Sequence, residues 1–334
     1  MSGVLGWDVG GVNTKAARVA DARILAARAV PYEIQRDPAA LAPLLTRLAD
    51  DLDGDREDAH AVTMTAELSQ VFRTKREGVG FVLDAVAAAF PAARVRVWSV
   101  DARWRTPAEA RQEPLAVAAA NWAATAWVVG RLVPDCLLID VGSTTTDIIP
   151  ITSGTPATTS QTDLDRLREG ELVYTGALRT PVEAIALTVP VRGRAISVSA
   201  EGFALAGDVY LWRGELAPAD YSVPTPDGRP ATRDFAGERL ARVVCADREM
   251  LEDGDLGSIA DAVRDAQVAR IGAALDRQRA RHPTLDHAVV TGLGDFLAAA
   301  AARRSGLQVV HLADTFGPAA RHAPAAAVAL LFPS

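Results

Sequence analysis

Cysteine and lysine are scarce in this chain of 334 residues, and their scarcity argues against several kinds of site. Cys136 and Cys245 are the only cysteines, and neither belongs to a CxxC pair or lies near a histidine. A disulfide framework, a zinc site and an iron–sulfur cluster are therefore disfavoured, and both cysteines are expected to be small buried residues. Lys15 and Lys75 are the only lysines, and each lies in a glycine-containing stretch. We therefore treat both lysines as candidate site residues.

Basic blocks and long apolar runs are also missing. The chain has 35 Lys and Arg against 42 Asp and Glu, a net charge of −7. This balance argues against a nucleic-acid partner and against an anionic membrane surface. No segment offers about 18 uncharged apolar residues, and the opening MSGVLGWDVGG lacks the basic and long apolar regions of a signal peptide. We expect a cytoplasmic globular protein that acts on small molecules, with two lobes because the chain exceeds the usual size of a single core.

Several common catalytic motifs are absent. A Walker A loop requires Gly-Lys, but both lysines follow threonine, and the chain contains neither HExxH nor GxSxG. The five histidines are scattered and are interpreted as surface or packing residues. The TGLG stretch at 291–294 fails as a dinucleotide fingerprint because Leu297 occupies the third glycine position. Dehydrogenase, serine-hydrolase and zinc-enzyme functions are therefore disfavoured.

Strand-like and helix-like segments alternate along the chain, which is typical of an α/β protein. Three strands are predicted in the first 33 residues, followed by a helix over 38–52 that is capped by Asp37. Further predicted elements are the strand HAVTMT, a helix ending at Phe90, the strand RVRVWSV, a long helical region over 107–132, a helix over 255–282 and a C-terminal helix. Residues 214–238 are rich in Pro, Gly and Asp and are predicted to form an exposed loop that covers the substrate.

The opening pattern of strand, acidic residue and glycine turn recurs in the middle of the chain. An offset of 132 residues places Asp8 on Asp140, Gly10 on Gly142, Thr14 on Thr146 and Lys15 on Asp147. A duplication with this long a period predicts two similar lobes, with an Asp–Gly turn from each side of a cleft. The predicted domains are an N-terminal lobe at 1–112, a C-terminal lobe at 113–320, and a C-terminal helix at 321–334 that packs back on the first lobe.

These two turns suit phosphate and magnesium. Backbone N–H groups of a glycine turn close on phosphate oxygens, and a neighbouring carboxylate holds Mg²⁺. The alternative is a pair of plain hairpin turns in which Gly10 and Gly11 only adopt a positive φ, but the hydroxyl-rich second copy favours a ligand site. The candidate metal ligands are Asp8 and Asp140. The candidate phosphate-binding residues are Gly10, Gly11, Asn13, Gly142, Ser143, Thr144 and Thr145, with Lys15 neutralising phosphate charge.

Two more polar stretches and one glycine-containing turn are candidate site segments. Residues 64–81 place Glu67, Arg73, Lys75 and Arg76 just beyond a strand end, and a solvated face is the alternative for the two arginines. Residues 172–184 place Arg179 in a loop bracketed by Gly and Pro, where it and Lys75 are candidate diphosphate ligands. Gly292 and Gly294 lie between a strand and a helix, a place for an anion or nucleotide, with a close-packed turn as the alternative.

At these residues the chain resembles the superfamily of sugar kinases, heat-shock proteins and actin. DVGGVNTKAA, DVGSTTTD and VVTGLGDF occupy the places of its two phosphate loops and its adenosine loop, in order and over nearly the whole chain. MTAELSQVFRTKREGV, AAANWAATA and YTGALRTPV are similar to the hydantoinase/oxoprolinase-like branch linked to tetrahydromethanopterin-dependent one-carbon metabolism. The resemblance implies an α/β, two-lobed actin-like ATPase (ribonuclease H-like) fold with duplicated mixed sheets and flanking helices.

The resemblance also implies a transferase of methanofuran-type cofactor biosynthesis. The phenol of a γ-glutamyl-tyramine would attack the methylene carbon of an (aminomethyl)furan-methyl diphosphate and expel pyrophosphate, with Mg²⁺ bound and with Glu67 or Asp147 as the base. TGLG replaces the usual double glycine of nucleotide-using relatives, which argues against ATP. Two alternatives stay open: an ATP-dependent kinase or hydantoinase/oxoprolinase-type hydrolase of the same fold, and a nucleotide-binding regulatory switch without turnover.

Overall fold

The computed structural model describes residues 3–55 and 58–333. Its strands are β1 Val4–Val9, β2 Asn13–Ala20, β3 Arg23–Pro31, β4 Ala59–Met64, β5 Val95–Trp98, β6 Trp104–Arg105, β7 Cys136–Val141, β8 Thr146–Thr152, β9 Thr155–Pro156, β10 Leu172–Val173, β11 Thr188–Val191, β12 Arg194–Ser197, β13 His287–Thr291 and β14 Gln308–His311. Its helices are α1 Leu41–Asp50, α2 Lys75–Ala89, α3 Pro107–Gln112, α4 Pro114–Val117, α5 Asn121–Leu132, α6 Asp163–Glu169, α7 Ala206–Arg213, α8 Arg233–Arg242, α9 Asp253–Arg281, α10 Asp295–Arg304, α11 Ala313–Phe316 and α12 Ala323–Leu331. The predicted α/β class is confirmed.

The first sheet has the order β3-β2-β1-β4-β5-β6. It is mixed, because β1 pairs in parallel with β4 and antiparallel with β2. Asp8 on β1 lies directly opposite Lys15 on β2 and Thr63 on β4. Since opposite residues on neighbouring strands point to the same face of a sheet, Asp8, Lys15 and Thr63 form a row across three strands.

One face of the first sheet is covered by α1 and α2. The buried residues of α1 recur at the spacing of one helix face, and those of α2 do the same. They pack with the β1 residues that alternate with Asp8 into one apolar cluster; its members include Leu5, Trp7, Val9, Leu41, Leu44, Leu45, Leu48, Val79, Val82, Leu83 and Val86. The alternation along β1 therefore separates an apolar face from the face that carries Asp8.

The opposite face of β1 packs against the alanine-rich helix α12. A Cβ atom at Gly6 would lie 2.0 Å from the carbonyl oxygen of Ala325 and 2.8 Å from the Cβ of Ala329. Only a residue without a side chain fits here, because a backbone oxygen cannot move aside cheaply. Gly6 and the small side chains of α12 together set this close approach.

The chain forms two compact units. The first contains residues 1–138, 149–169 and 310–334, and the second contains residues 139–148 and 170–309. The second sheet has the order β10-β8-β7-β13-β14, with β9 paired to β8. This order matches β3-β2-β1-β4-β5 of the first sheet strand for strand, which agrees with the duplication read from the sequence. The domain boundaries at residues 112 and 320 stay a prediction.

Two predicted helices differ from the structure. The region 107–132 forms three helices instead of one, with breaks at Glu113 and at residues 118–120. Pro114 lacks a backbone N–H and restricts the residue before it, and Ala119 adopts a φ of 50°. The predicted helix 38–52 is a short 3₁₀ turn at Pro38–Ala40 followed by α1, and the side chain of Asp37 makes no cap hydrogen bond. The end of the predicted loop 214–238 is helical, because α8 begins at Arg233.

One cysteine also differs from its prediction. Cys136 is buried, as expected, but Cys245 is exposed, in a left-handed conformation with a φ of 57° just beyond α8. His60 is a packing residue: its Nδ1 accepts a hydrogen bond of 3.1 Å from Trp7 Nε1, and burial lowers its pKa to about 4. Within residues 3–55 and 58–333, no helix has the length and apolar character needed to cross a membrane.

Candidate functional site

The first Asp–Gly turn places a buried carboxylate beside a lysine. Asp8 is 4% exposed, and its Oδ2 lies 3.4 Å from Nζ of the partly exposed Lys15. The two residues are held opposite each other by the β1–β2 register. A half-buried ammonium next to a buried carboxylate is a cation that a phosphate group can recruit.

Gly10 closes the turn that follows Asp8. Its N–H donates to the carbonyl oxygen of Asn13 at 3.1 Å, and a Cβ on Gly10 would lie 2.5 Å from that oxygen. Neither Gly10 nor Gly11 has a positive φ, so the interpretation that these glycines serve that conformation is wrong. Gly10 is required by close approach of the hairpin backbone, whereas the nearest atom to a Cβ on Gly11 would be 3.9 Å away. Packing within the described residues therefore does not require glycine at position 11.

A second group of charges lies in the same unit, around Lys75 at the start of α2. Lys75 Nζ lies 3.6 Å from Glu67 Oε1 and 3.0 Å from Asp163 Oδ2. Glu67 is 1% exposed, and neither of its carboxylate oxygens makes a hydrogen bond among the described residues. Burial raises the pKa of Glu67 from 4.5 to about 7, although the ammonium of Lys75 lowers it in part. A carboxyl group with this pKa exchanges its proton near neutral pH.

Close packing fixes Glu67 as well. A Cβ on Gly78, in the first turn of α2, would lie 2.5 Å from Cα of Glu67. The N-cap Thr74 accepts a hydrogen bond from the backbone N–H of Glu77 and begins the helix at Lys75. Arg73 and Arg76 are both exposed at this helix start, which agrees with the solvated-face interpretation of these two arginines.

The second Asp–Gly turn, in the second unit, repeats the backbone hydrogen bond of the first one. The N–H of Gly142 donates to the carbonyl oxygen of Thr145 at 2.9 Å, and the 132-residue offset relates this bond to the one between Gly10 and Asn13. Asp140 and Asp147 are both 9% exposed on the strands that flank the turn. The hydroxyls of Ser143 and Thr144 lie 3.4 Å apart in the turn and are both partly exposed.

The loop 174–180 braces this second turn. The N–H of Ala177 donates to the carbonyl oxygen of Gly142, and the N–H of Arg179 donates to that of Ser143, both at 2.9 Å. A Cβ on Gly176 would lie 2.5 Å from the backbone nitrogen of Thr144. The structure thus brings Arg179 to the second turn. Its backbone is held there by a hydrogen bond to Ser143, and its side chain is partly exposed.

A buried glutamine supports the loop from behind and was missed by sequence reasoning. Gln267, fully buried in α9, donates from Nε2 to Thr175 Oγ1 at 2.8 Å and to the carbonyl oxygen of Gly176 at 2.9 Å. Its Oε1 accepts a hydrogen bond of 2.5 Å from the hydroxyl of Tyr210. A glutamine on the apolar side of a long amphipathic helix was the available signal.

The TGLG stretch packs directly on the second turn. Gly292 has a φ of 94°, and a Cβ on it would lie 2.4 Å from Asp140 Oδ1 and from the carbonyl oxygen of Val141. The N–H of Gly294 donates to that same carbonyl oxygen at 2.8 Å. Both glycines are explained by this close-packed turn; a role for them in ligand binding stays a prediction.

The candidate residues thus fall into two groups. The first unit holds Asp8, Gly10, Gly11, Asn13, Lys15, Glu67 and Lys75, and the second holds Asp140, Gly142, Ser143, Thr144, Thr145, Asp147, Arg179, Gly292 and Gly294. Among the described residues, no three His, Cys, Asp or Glu side chains are grouped so as to hold a metal ion. Mg²⁺ is commonly held by one or two carboxylates together with substrate phosphates, and the role of Asp8 and Asp140 as its ligands stays a prediction.

Solved structures confirm the expected fold. The chain matches component A of the (R)-2-hydroxyglutaryl-CoA dehydratase of Acidaminococcus fermentans with a TM-score of 0.51 and 12% identity, covering 99% of this chain and 97% of that one. It matches a ROK family glucokinase from Streptomyces griseus, solved with glucose and AMPPNP, with a TM-score of 0.51 and 15% identity, covering 98% of each chain. These likenesses concern the fold alone, and they confirm the predicted actin-like ATPase fold.

Sequence comparison identifies the family. The chain is 38% identical over 295 residues, 87% of its length and 86% of the relative's, to the (4-{4-[2-(γ-L-glutamylamino)ethyl]phenoxymethyl}furan-2-yl)methanamine synthase of Methanocaldococcus jannaschii. It is 36% identical over 161 residues, 48% of its length and 72% of the relative's, to the synthase of the same name from Methanococcus vannielii. The family model for hydantoinase/oxoprolinase matches residues 58–332. The chain therefore belongs to the hydantoinase/oxoprolinase family.

Proposed function

We propose that this chain is a transferase of methanofuran- or methylofuran-type cofactor biosynthesis. It joins the phenol oxygen of a γ-glutamyl-tyramine-type acceptor to the methylene carbon of an (aminomethyl)furan-methyl diphosphate. The observation that carries the proposal is the 38% identity over 87% of the chain to a synthase whose name describes a phenoxymethyl ether on a furan. In this reaction the O–CH₂ bond of the ether forms, the CH₂–O bond to the diphosphate breaks, and the phenol proton passes to a base.

The main task of the protein in this reaction is to hold the diphosphate and neutralise its charge. The electron-rich furan stabilises positive charge on the methylene carbon, so departure of pyrophosphate is assisted by cations and by fixed N–H donors. We assign Lys15, Lys75 and Arg179 to the charge of the leaving group. The backbone of the two Asp–Gly turns and the hydroxyls of Ser143, Thr144 and Thr145 are assigned to phosphate oxygens, together with Gly10, Gly11, Asn13 and Gly142.

Magnesium is proposed to arrive with the diphosphate, and Asp8 and Asp140 are its proposed carboxylate contacts. The donor set suits this ion, because carboxylate oxygen is a hard ligand that Mg²⁺ prefers. When bound, Mg²⁺ would screen the negative charge of the leaving group. The ammonium of Lys15 lies 3.4 Å from Asp8 Oδ2, so a positive charge is next to this carboxylate.

Glu67 is our proposed base for the phenol proton. A free phenol has a pKa of about 10, so a carboxyl with a pKa of about 7 accepts its proton at a smaller free-energy cost than an ordinary glutamate would. The carboxylate oxygens of Glu67 are also not engaged in hydrogen bonds among the described residues. Asp147, on β8 in the second unit, is the alternative base, and variants of the two residues separate these assignments.

The test is to detect the ether and pyrophosphate without ATP. Purified protein is mixed with Mg²⁺, the furanmethyl diphosphate and γ-glutamyl-tyramine, the ether is measured by mass spectrometry, and pyrophosphate is quantified. Equal amounts of ether and pyrophosphate are expected. Asp8→Asn should lower the rate strongly, whereas Asp50→Asn, an exposed residue of α1, should not.

Three outcomes would contradict the proposal. If both substrates remain intact with folded protein, the synthase assignment to these substrates fails. If no ether forms and ADP is released only after ATP is added, the chain is an ATP-dependent kinase or hydrolase of the same fold. Partner binding that changes with ATP, with no small molecule consumed, would instead identify a regulatory switch.

A further inference from the structure

A buried hydroxyl without a hydrogen bond lies next to Asp8. Thr63 on β4 is fully buried, and its Oγ1 makes no hydrogen bond within the part of the chain that the structure describes. Thr63 is the register partner of Asp8 across the parallel β1–β4 pair, so both side chains point to the same face of the sheet. Buried hydroxyls are normally paired because an unpaired one costs stability. The stability of the fold therefore does not explain why this position carries a hydroxyl group.

A second threonine in the same sheet provides a contrast. Thr14 on β2 is also fully buried, and its Oγ1 also makes no hydrogen bond among the described residues. Thr14 is opposite Val9 and adjacent to Lys15, so its side chain points to the other, apolar face. The two threonines are alike in burial and in the lack of a hydrogen bond at Oγ1. Only Thr63 shares a face of the sheet with Asp8.

The surroundings of Asp8 explain why a second hydrogen-bond donor is useful beside this carboxylate. In this structure Asp8 Oδ2 faces the ammonium of Lys15 at 3.4 Å. If Lys15 turns to a phosphate group, the buried carboxylate of Asp8 loses part of its compensating charge, which is unfavourable at 4% exposure. Adjacent strands lie about 4.8 Å apart, so a χ1 rotation at the opposite position directs a threonine hydroxyl to the carboxylate.

We infer that Thr63 is a positioning residue of the diphosphate site: its hydroxyl donates a hydrogen bond to the Asp8 carboxylate when Lys15 engages a diphosphate. The inference rests on the proposed function, because it takes Lys15 as a ligand of the diphosphate. Thr63 acts through Asp8 and does not itself contact the substrate. A hydroxyl at this position therefore lowers the stability of the ligand-free chain and raises its affinity for the anion.

The test compares Thr63→Val, Thr63→Ser and Thr14→Val in the full chain. The dissociation constant for inorganic pyrophosphate with Mg²⁺ is measured by isothermal titration calorimetry, and the Tm is measured without ligand. Thr63→Val should weaken pyrophosphate binding about tenfold or more, the usual effect of losing a hydrogen bond to a charged group. Thr63→Ser keeps the hydroxyl and should bind nearly as tightly as the unaltered chain, and Thr14→Val should bind equally well. Neither valine variant should have a lower Tm.

The outcomes separate this inference from the proposed function. If the unaltered chain binds pyrophosphate and Thr63→Val binds it equally tightly, the role of Thr63 is refuted while the proposed function stands. The same conclusion follows if Thr63→Val and Thr14→Val weaken binding alike, or if Thr63→Ser is as weak as Thr63→Val. If the folded, unaltered chain binds no pyrophosphate with Mg²⁺, the proposed diphosphate site is wrong and the role of Thr63 falls with it.

Discussion

Replacing Glu67 with glutamine should change how the stability of the chain depends on pH. Glu67 is 1% exposed, and burial raises its pKa from 4.5 to about 7. The shift means that the folded chain favours the protonated carboxyl. A shift of this size corresponds to roughly 3 kcal/mol of free energy of unfolding, at about 1.4 kcal/mol for each pKa unit.

The direction follows from the raised pKa of the folded state. Below pH 4.5 the carboxyl is protonated in both states, and the full stability is present. As the pH rises through the interval from 4.5 to about 7, the unfolded chain releases the proton more readily than the folded chain, and stability falls. Above that interval the loss is constant. Glutamine stays neutral, so Glu67→Gln should not show this loss and should be more stable than the unaltered chain at pH 8.

The assay is urea unfolding at pH 5, 6, 7 and 8, followed by tryptophan fluorescence. The difference in free energy of unfolding between Glu67→Gln and the unaltered chain should grow by roughly 2–3 kcal/mol from pH 5 to pH 8. Glu201→Gln, at an exposed glutamate, controls for the loss of one negative charge and should show no such growth. Parallel pH curves for Glu67→Gln and the unaltered chain would refute the assignment of a buried carboxyl that is protonated below neutral pH.

Three further predictions test the catalytic base, the packing of β1 against α12 and the support of the loop 174–180. If Glu67 is the base, kcat/KM should rise with pH up to about 7, and Glu67→Gln should remove most of the activity in the ether assay. An active Glu67→Gln variant whose kcat/KM depends on pH as in the unaltered chain would point to another base. Gly6→Ala should lower the free energy of unfolding by about 1–3 kcal/mol, because the added Cβ would overlap the carbonyl oxygen of Ala325, and a Tm equal to that of the unaltered chain would contradict this. Gln267→Leu removes both hydrogen bonds that Nε2 donates to the loop 174–180 and should raise the KM for the diphosphate severalfold. The control is Gln278→Leu, at a buried residue about 16 Å further along the same helix, which should affect the Tm alone.

The two Asp–Gly turns could be predicted from the sequence because their information is local. A strand, a carboxylate and a glycine follow one another within a few residues, and the copy at an offset of 132 residues repeats them. The structure shows the same backbone hydrogen bond in both turns, from Gly10 to Asn13 and from Gly142 to Thr145. The order of strands around each turn also matches. Local motifs thus predicted both the fold and the places where the candidate residues lie.

The supporting contacts could not be predicted, because they join residues far apart in the chain. Gln267 contacts Gly176 across 91 positions, and Lys75 contacts Asp163 across 88. Asp163 has no distinctive local sequence, and the place of Gln267 among the buried residues of α9 indicates burial without indicating its partners. The break at Pro114 is different in kind: proline was a visible local signal, but the alanine-rich residues on either side favoured one continuous helix.

The two lysines differ from the arginines of this chain in a way that suits the proposed diphosphate site. Every other basic side chain apart from histidine is arginine, whose planar guanidinium holds a carboxylate through two fixed hydrogen bonds. Lys15 and Lys75 instead present compact charges 3.0 to 3.6 Å from buried or half-buried carboxylates, and both are partly exposed. A point charge on a flexible stem changes partner at a lower cost than a guanidinium in a two-bond pair. Under the proposed function a diphosphate enters and leaves in each turnover, so the cations that bind it must move between carboxylate oxygens of the protein and phosphate oxygens of the ligand. Lysine meets that requirement at both places.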